Sequence, residues 1–386
     1  MIVSHLQLKN WRNFKEVDVP LRERGFLVGP NASGKSNLLD VFRFLRDIAK
    51  PDGGGLQKAV KDRGGVSKLR SLAARHDPEI SITIHLANNA EDPPIWQYSI
   101  GLKQEPRGHR QPILSFERVW KENRQLLNRP DNDDCRDRDR LKQTFLEQIN
   151  ANAGFREIPR YLESITYLHL VPQLLRYAES FQGRLLEGDP YGQGFLERVS
   201  KTQPRTQKSR LAKIEKALRI AVPQMEQLKL ERDEATGKPH LSALYSHWRP
   251  KAGWQREDQF SDGTLRLIAL LWSLLDGDSL LLLEEPELSL NTAIVSQLAP
   301  TIYKMQQQGK RKRQILISTH SDSLLNDPGI DGREVLLLTP GKEASSVEVA
   351  SSIQDIRPLL TEGLSVGEVI LPRSKPDNID QLGLSF

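Results

Sequence analysis

The sequence has few features that would tie it to a membrane or to an oxidising compartment. Its 386 residues include no apolar run of about eighteen, the length that a membrane-spanning helix needs. Its single cysteine, Cys135, has no second thiol for an internal disulfide. Residues 2–8 alternate apolar and polar side chains as a strand does, and do not read as a secretory signal. We therefore expect a cytoplasmic protein without a membrane partner.

Repeats and strong charge asymmetry are also missing. No fixed repeat and no sustained heptad pattern occurs, which argues against a long coiled-coil arm. The net charge of +5 permits binding to nucleic acid but does not by itself indicate it. With 38% hydrophobic and 27% charged residues, the composition is that of a globular protein.

Strands and helices alternate in the last third of the chain. A helix at 264–275 leads into an apolar strand at 280–283, and a second helix at 292–308 leads into a strand at 314–318. A further strand follows at 335–338. This alternation predicts an α/β fold with a mainly parallel sheet.

The middle of the chain is less regular. Its charged stretch at 128–142 is predicted to be solvated or mobile. An amphipathic helix through 211–222 should end at Pro223, and short strands are predicted at 228–230 and 241–245.

The strongest motif is a phosphate-binding loop between a strand at 25–28 and an amphipathic helix that begins near Lys35. Residues 29–36 match the pattern G-x-x-x-x-G-K-[ST] in full. Backbone amides and the helix N-terminus attract phosphate, Lys35 can reach the β- and γ-phosphates, and Ser36 is placed to bind Mg²⁺. The alternative is a glycine-rich turn that fits by chance. The predicted nucleotide-binding residues of this loop are Gly29, Asn31, Ala32, Ser33, Gly34, Lys35 and Ser36.

An acidic pair ends the apolar strand at 280–283. Glu284 would hold Mg²⁺ directly or through water, and Glu285 would orient and polarise the attacking water. The first acid of such motifs is more often Asp, so the division of labour between the two stays open. The alternative is a strand followed by a solvated acidic turn.

Two further motifs flank this strand. Ser261 and Gly263 stand at a helix N-terminus and could close over a nucleotide held by a second copy of the chain. The alternative there is an ordinary N-cap formed by Ser261 or Asp262. His320 follows the strand at 314–318 and could sense a γ-phosphate, unless it is simply an exposed strand-end histidine.

The order of these four motifs resembles that of ABC-superfamily ATPases of the RecF, SMC and OLD type, and more closely the stand-alone bacterial AAA family ATPases related to them. The resemblance implies an ABC-type P-loop ATPase head with a mixed central sheet, an antiparallel β subdomain and an inserted, mainly helical subdomain. Residues 10–14 resemble the opening motif of that group, in which an arginine, here Arg12, approaches the nucleotide. The group also has a glutamine after a strand that links Mg²⁺ to the helical lobe, and Gln173 matches that place.

The resemblance also implies a domain organisation. Lobe I with the loop spans 1–120, a variable insertion with Gln173 spans 121–254, lobe II spans 255–351, and a C-terminal extension spans 352–386, loosely held from Pro372. Relatives often carry His-Pro after the acidic pair, where this chain has Ser289-Leu290-Asn291, which puts any role of that histidine in doubt. No Asp-x-Asp cluster of a Toprim nuclease follows His320, so we expect no nuclease of its own.

The expected function is an ATP-dependent homodimer that uses ATP and Mg²⁺ and hydrolyses ATP to change conformation. It would act in DNA maintenance or repair, or in anti-phage defence, with a separate nuclease or toxin as effector. Basic runs at 201–213 and 310–313 make DNA a candidate partner, against the alternative of solvated surface charge. Two rival functions remain: a transporter motor, which the Phe-Ser-Asp-Gly-Thr turn disfavours, and an ATP-binding regulator without turnover, which Glu285 disfavours.

Overall fold

A computed structural model describes residues 1–75, 77–106, 110–177, 189–247, 253–308 and 313–375. The elements before residue 166 are β1 (Ile2–Lys9), β2 (Glu16–Pro20), β3 (Arg24–Val28), α1 (Lys35–Ala49), α2 (Leu56–Lys61), α3 (Val66–Leu69), β4 (Ile80–Ala87), β5 (Trp96–Gln104), β6 (Pro112–Lys121), β7 (Arg124–Arg129), α4 (Asn132–Arg136) and α5 (Glu157–Glu163). The next are β8 (Thr166–Leu168), α6 (Pro172–Arg176), α7 (Phe195–Ser200), α8 (Pro204–Ala221), β9 (Met225–Arg232), β10 (Pro239–Tyr245), β11 (Trp254–Arg256) and α9 (Asp262–Leu275). The last are β12 (Leu281–Glu284), α10 (Thr292–Val295), α11 (Leu298–Gln308), β13 (Ile315–Ser318), α12 (Asp322–Leu325), β14 (Val335–Thr339), β15 (Ser346–Val349), α13 (Arg357–Thr361) and α14 (Val366–Ile370).

The chain divides into two compact units. The first contains Met1–Thr166, Ser279–Leu282 and Lys312–Phe386, and the second contains Tyr167–Asp278 and Leu283–Arg311. Residues 121–166, which the sequence assigned to the insertion, thus belong to the first unit; the lobe boundaries themselves stay predictions. None of the helices in the described ranges combines the length and the apolar character that crossing a membrane requires.

An antiparallel sheet of the first unit has the strand order β2-β1-β4-β5-β6-β7. In β4, Ile80, Ile82 and Ile84 are buried while Ser81 and Thr83 between them are partly exposed. This two-residue alternation puts one face of the sheet on a core and leaves the other toward solvent. The antiparallel β subdomain is confirmed.

A second sheet is mixed, with the order β15-β14-β3-β13-β12-β8. Strand β3 is fully buried and pairs in parallel with β13 on one side and β14 on the other, whereas β15 is antiparallel to β14. The mixed central sheet is therefore confirmed. Because β3, β13 and β14 run in parallel, their carboxyl ends share one edge, where open α/β sheets bind ligands.

The second unit is built around helices. Helix α8 packs its buried Leu211, Ile214 and Leu218 on α9 and β9, beside a three-stranded antiparallel sheet ordered β11-β10-β9. Helix α8 ends at Ala221, two residues before Pro223, as the sequence predicted. The expected helix at 292–308 is instead divided into α10 and α11, and Pro300 in the first turn of α11 has no N–H to donate to the Ser296 carbonyl.

The prediction that 128–142 is solvated was wrong for two of its residues, although most of the others in that stretch are exposed. Arg129 and Asp134 are fully buried rather than solvated, and Arg129 Nε lies 2.9 Å from Asp134 Oδ2. The same guanidinium lies 3.0 Å from Glu117 on β6, which is buried too. Charge density in the sequence suggested exposure, but the opposite charges pair with each other in the interior.

Candidate functional site

The loop between β3 and α1 is shaped by two glycines that no other residue could replace. A Cβ on Gly29 would lie 2.3 Å from the Leu338 carbonyl oxygen of β14. Gly34 has a φ of +106°, which L side chains rarely adopt, and a Cβ there would lie 2.2 Å from the Asn13 amide. Packing and backbone conformation therefore both require glycine where the phosphate-binding pattern has it.

The N-terminus of α1 opens into this loop. Gly34 caps the 15-residue helix without any side-chain hydrogen bond, and the first turn carries no acid. Lys35 is buried, and its ammonium donates to the carbonyls of Gly29 at 2.9 Å and Pro30 at 3.1 Å. The Ser33 hydroxyl is buried without a hydrogen-bond partner among the described residues. A cradle of this kind fits a phosphate group, which would accept from such donors.

The other loop residues lie at its surface. Asn31 and Ala32 are exposed at the tip, and Ala32 has a φ of +63° that completes the curl of the backbone. Ser36 is exposed on the first turn of α1. Its hydroxyl is a donor type that suits Mg²⁺ beside a bound phosphate.

Arg12 lies against α1. Its Nη2 atom is 2.6 Å from Asp40 Oδ2, and Arg63 binds the same carboxylate at 2.9 Å. Burial alone would raise the pKa of Asp40, but Arg63 and Arg12 outweigh it and lower that pKa. The structure thus places the Arg12 side chain against α1, the helix that follows the loop. Its approach to a nucleotide stays a prediction.

His320 lies at the same sheet edge as the loop. The Thr319 amide donates to the Leu27 carbonyl at 3.2 Å, which fixes the end of β13 beside the end of β3. His320 follows directly and is half-buried. The first unit therefore contains Arg12, the loop and His320, and within it the loop and His320 share one edge.

The remaining predicted residues belong to the second unit. Glu284 ends β12 and accepts a short hydrogen bond from the buried Tyr167 hydroxyl of β8. Glu285 follows with a φ of +44°, a left-handed conformation that costs a non-glycine residue about 1 kcal/mol or more. Strain of this kind concentrates at functional sites, where it aims a side chain.

Residues 260–264, which we name the signature turn, lie at the start of α9. The Ser261 hydroxyl accepts a hydrogen bond from the Thr264 amide at 3.1 Å. Ser261 is therefore the N-cap of α9, as the alternative interpretation predicted. A Cβ on Gly263 would lie 2.6 Å from the Ser289 carbonyl, so close packing requires glycine there. The role of Ser261 and Gly263 as a lid over a partner's nucleotide stays a prediction.

Gln173 lies beside this turn. It is exposed at the start of α6, and its amide donates to Asp262 Oδ2 at 2.8 Å. Arg176 binds the other oxygen of Asp262 at 2.5 Å and the Phe260 carbonyl at 2.7 Å. The structure therefore connects Gln173 to the signature turn, and its contact with a metal stays a prediction.

Sequence reasoning missed four side chains that support these motifs. They are Asn13, which packs on Gly34; Tyr167, which binds Glu284; Arg176, which binds Asp262; and Arg266, which is buried on α9. Burial lowers the pKa of Arg266, against the opposing charges of Asp262, Glu287 and Glu285. Only Asn13 had a signal in the sequence, its place in the opening motif.

Comparisons with known proteins agree with this geometry. The chain is similar to the DNA replication and repair protein RecF of Agathobacter rectalis, with 31% identity over 91 residues, 23% of this chain and 25% of that protein. RecF of Proteus mirabilis strain HI4320 is 31% identical over 110 residues, 28% of this chain and 26% of that protein. These matches span about a quarter of the length of the relatives.

Solved structures show the same fold. A structure of the Smc head bound to the C-winged helix domain of ScpA superposes with a TM-score of 0.56 at 16% identity, over 90% of this chain and 98% of that one. An Smc head domain with an extended coiled coil, bound to the C-terminal domain of ScpA derived from Pyrococcus furiosus, gives a TM-score of 0.50 at 16% identity, over 94% and 99%.

Family models settle the family. One described as "P-loop containing region of AAA domain" matches residues 3–45. Another, described as "AAA domain, putative AbiEii toxin, Type IV TA system", matches residues 26–326, well over half of the chain. The chain therefore belongs to this AAA domain family, and its similarity to RecF and to the fold of the Smc heads supports the predicted resemblance to RecF- and SMC-like ATPases of the ABC superfamily.

Proposed function

We propose that this chain is an ATPase that binds ATP at residues 29–36, pairs with a second copy around two ATP molecules, and hydrolyses them to switch conformation. The observation that carries the proposal is the loop itself. Two glycines are required by close packing, the N-terminus of a 15-residue helix has no side-chain cap, and a buried lysine points its ammonium at the loop carbonyls. These features favour a triphosphate over any neutral ligand.

The roles of the other residues follow from their chemistry. Ser36 and Glu284 would hold Mg²⁺, with Gln173 as a further ligand, and the metal would neutralise charge that develops on the phosphates. Glu285 orients and polarises water, and His320 senses the γ-phosphate at the sheet edge that it shares with the loop. Ser261 and Gly263 of each copy close over the nucleotide of the other.

A DNA-associated role with a separate effector completes the proposal. Its support is that similar proteins are named for DNA replication and repair, and that the family description names a toxin of a toxin–antitoxin system. DNA maintenance and anti-phage defence are both consistent with these names. A nuclease or toxin would act as the effector, switched by the conformation of the dimer.

The test is Glu285→Gln, which keeps the shape of the side chain but removes its basicity. We expect phosphate release to fall about 10²- to 10⁴-fold, and ATP with Mg²⁺ to convert the variant into a stable dimer on size-exclusion chromatography with light scattering. The matched control is Lys35→Ala in the Glu285→Gln background, which should stay monomeric because ATP is not held. A Glu285→Gln variant that binds ATP yet stays monomeric would refute the dimer. Wild-type protein that binds ATP but releases no more phosphate than Glu285→Gln would support the regulator instead.

A further inference from the structure

Helix α8 carries an unusual balance of charge for a surface helix. Its 18 residues contain six basic side chains and a single acid, Glu215. The buried side of the helix is occupied by Leu211, Ile214 and Leu218. The basic side chains lie on the remaining faces of the helix, where Arg210 still reaches Trp272 of α9 and the others differ in what they contact.

Two of the six cations are already neutralised within the second unit. Arg210 lies 2.7 Å from Asp276, and Arg219 lies 2.8 Å from Glu215. The other four, Arg205, Lys208, Lys213 and Lys216, are exposed, and none forms an ion pair with a residue in the described ranges. We name these four side chains the α8 basic face.

Several basic residues outside α8 have partners within the protein. Lys229 on β9 pairs with Glu231, and Arg256 on β11 lies 3.4 Å from Asp233. Of the basic run at 310–313, residues 310–312 lie outside the described ranges, and Arg313 is buried with its Nε donating to the Ser279 carbonyl. Single exposed lysines occur elsewhere, as at Lys61 and Lys201, but the α8 basic face gathers four such charges on one side of one helix, and such a surface favours a polyanion.

The length of the α8 basic face is sufficient to contact several phosphates of a nucleic-acid backbone. Arg205 and Lys216 are eleven residues apart, which is about 16 Å along the helix axis. Along the same length a strand of duplex DNA carries about five phosphates, at about 3.4 Å of axis each. We propose that the α8 basic face binds the phosphate backbone of double-stranded DNA. This deepens the DNA-associated role proposed above but does not depend on ATP hydrolysis.

The test uses the full chain and a fluorescent 30-base-pair duplex, with anisotropy measured across a range of KCl concentrations. In the triple variant Lys208→Gln, Lys213→Gln, Lys216→Gln, the slope of log K against log salt should become shallower by about 2 to 3, since each lost phosphate contact removes about 0.9. Glutamine keeps a high helix propensity, so a melting temperature close to that of the wild type should show that α8 is intact.

The matched control is Lys61→Gln, Lys68→Gln, Lys103→Gln, which removes the same charge from exposed positions of the first unit. This variant should keep the wild-type slope. An equal loss in both variants, or no loss in the α8 variant, would overturn the proposal, as would stronger α8-dependent binding to a single-stranded RNA of the same length. Measuring ATP binding by both variants separates this proposal from the ATPase proposal. If DNA binding depends on α8 but no ATP binds, only the ATPase proposal is refuted.

Discussion

Two stretches rich in charge, residues 128–142 in the first unit and 205–219 in the second, differ in whether they bury any of their charges. In the first, acids and bases alternate, and Arg129 is enclosed with Glu117 and Asp134 where water does not reach. In the second, bases predominate and the α8 basic face remains exposed. The difference teaches that an available partner of opposite sign, rather than the amount of charge, decides whether a charged side chain can be buried.

The buried cluster satisfies its charges through several donors. The Glu117 carboxylate accepts from Arg129, from the Tyr98 hydroxyl and from the amides of Phe145 and Leu146. Burial still raises the pKa of Glu117, because it outweighs these stabilising contacts. Asp134 differs: burial alone would raise its pKa, but hydrogen bonds from Arg129, the Asp131 amide and Arg140 lower it to about 2.

The largest effect should come from removing the shared cation. Arg129→Met leaves two buried carboxylates without their partner, so we expect a loss of about 3 to 5 kcal/mol in the free energy of unfolding, measured by urea denaturation. Arg136→Met is the control in the same segment, because its ion pair with Asp133, at 3.6 Å, is exposed. That variant should stay within about 0.5 kcal/mol of the wild type. Equal losses of stability in both variants would show that the buried Arg129 contributes no more to folding than the exposed Arg136.

A pH series should give the next largest effect. The pKa of Asp134 is about 2 in the folded chain, below its ordinary value of 3.8, so its charge contributes stability above the ordinary value that is lost as pH falls through about 2. We expect Asp134→Asn to be less stable than the wild type by about 2 kcal/mol at pH 6, and the gap to close toward pH 2. Asp133→Asn, at an exposed position, should show no such gap in urea denaturation. A gap for Asp134→Asn that is constant across this range would contradict the assignment.

The smallest effect should come from α8. Its four exposed cations have no partner among the described side chains, so the triple glutamine variant should change the free energy of unfolding by less than about 0.5 kcal/mol. Removing three like charges could even stabilise the helix slightly, because it relieves repulsion. Differential scanning calorimetry would measure this. A loss above about 2 kcal/mol would mean that the α8 basic face has a structural role and would weaken the contrast with Arg129.

Most of the fold was predictable because its signals are local. The helix after Lys35 and the helix that ends before Pro223 both follow periodicity and a stop signal within one segment. The antiparallel β subdomain came only from the resemblance, because cross-strand pairing is long-range. The burial of Arg129 escaped prediction for the same reason, since Glu117 is twelve residues away on another strand.

The candidate site divides in the same way. The loop at 29–36 is contiguous, and its glycines follow from backbone geometry that the motif encodes. Tyr167 could not be predicted, since it meets Glu284 only through the folded chain, 117 residues later. Gln173 was chosen for a metal, yet its partner Asp262 lies in a different motif. Contiguous motifs such as the loop can be predicted from the sequence, whereas the contacts that orient their side chains arise from tertiary packing.

The close approach of Gly263 to the Ser289 carbonyl has a mechanical consequence. Ser289 lies four residues beyond Glu285 and has a φ of +61°, so the backbone of this bend is already constrained. Because Gly263 has no side chain that could change its rotamer, the start of α9 cannot move toward this bend without displacing the backbone at Ser289. We therefore expect the first turn of α9 and the segment that bears Glu285 to move as one rigid body. A rotation of either one would then change the orientation of the other.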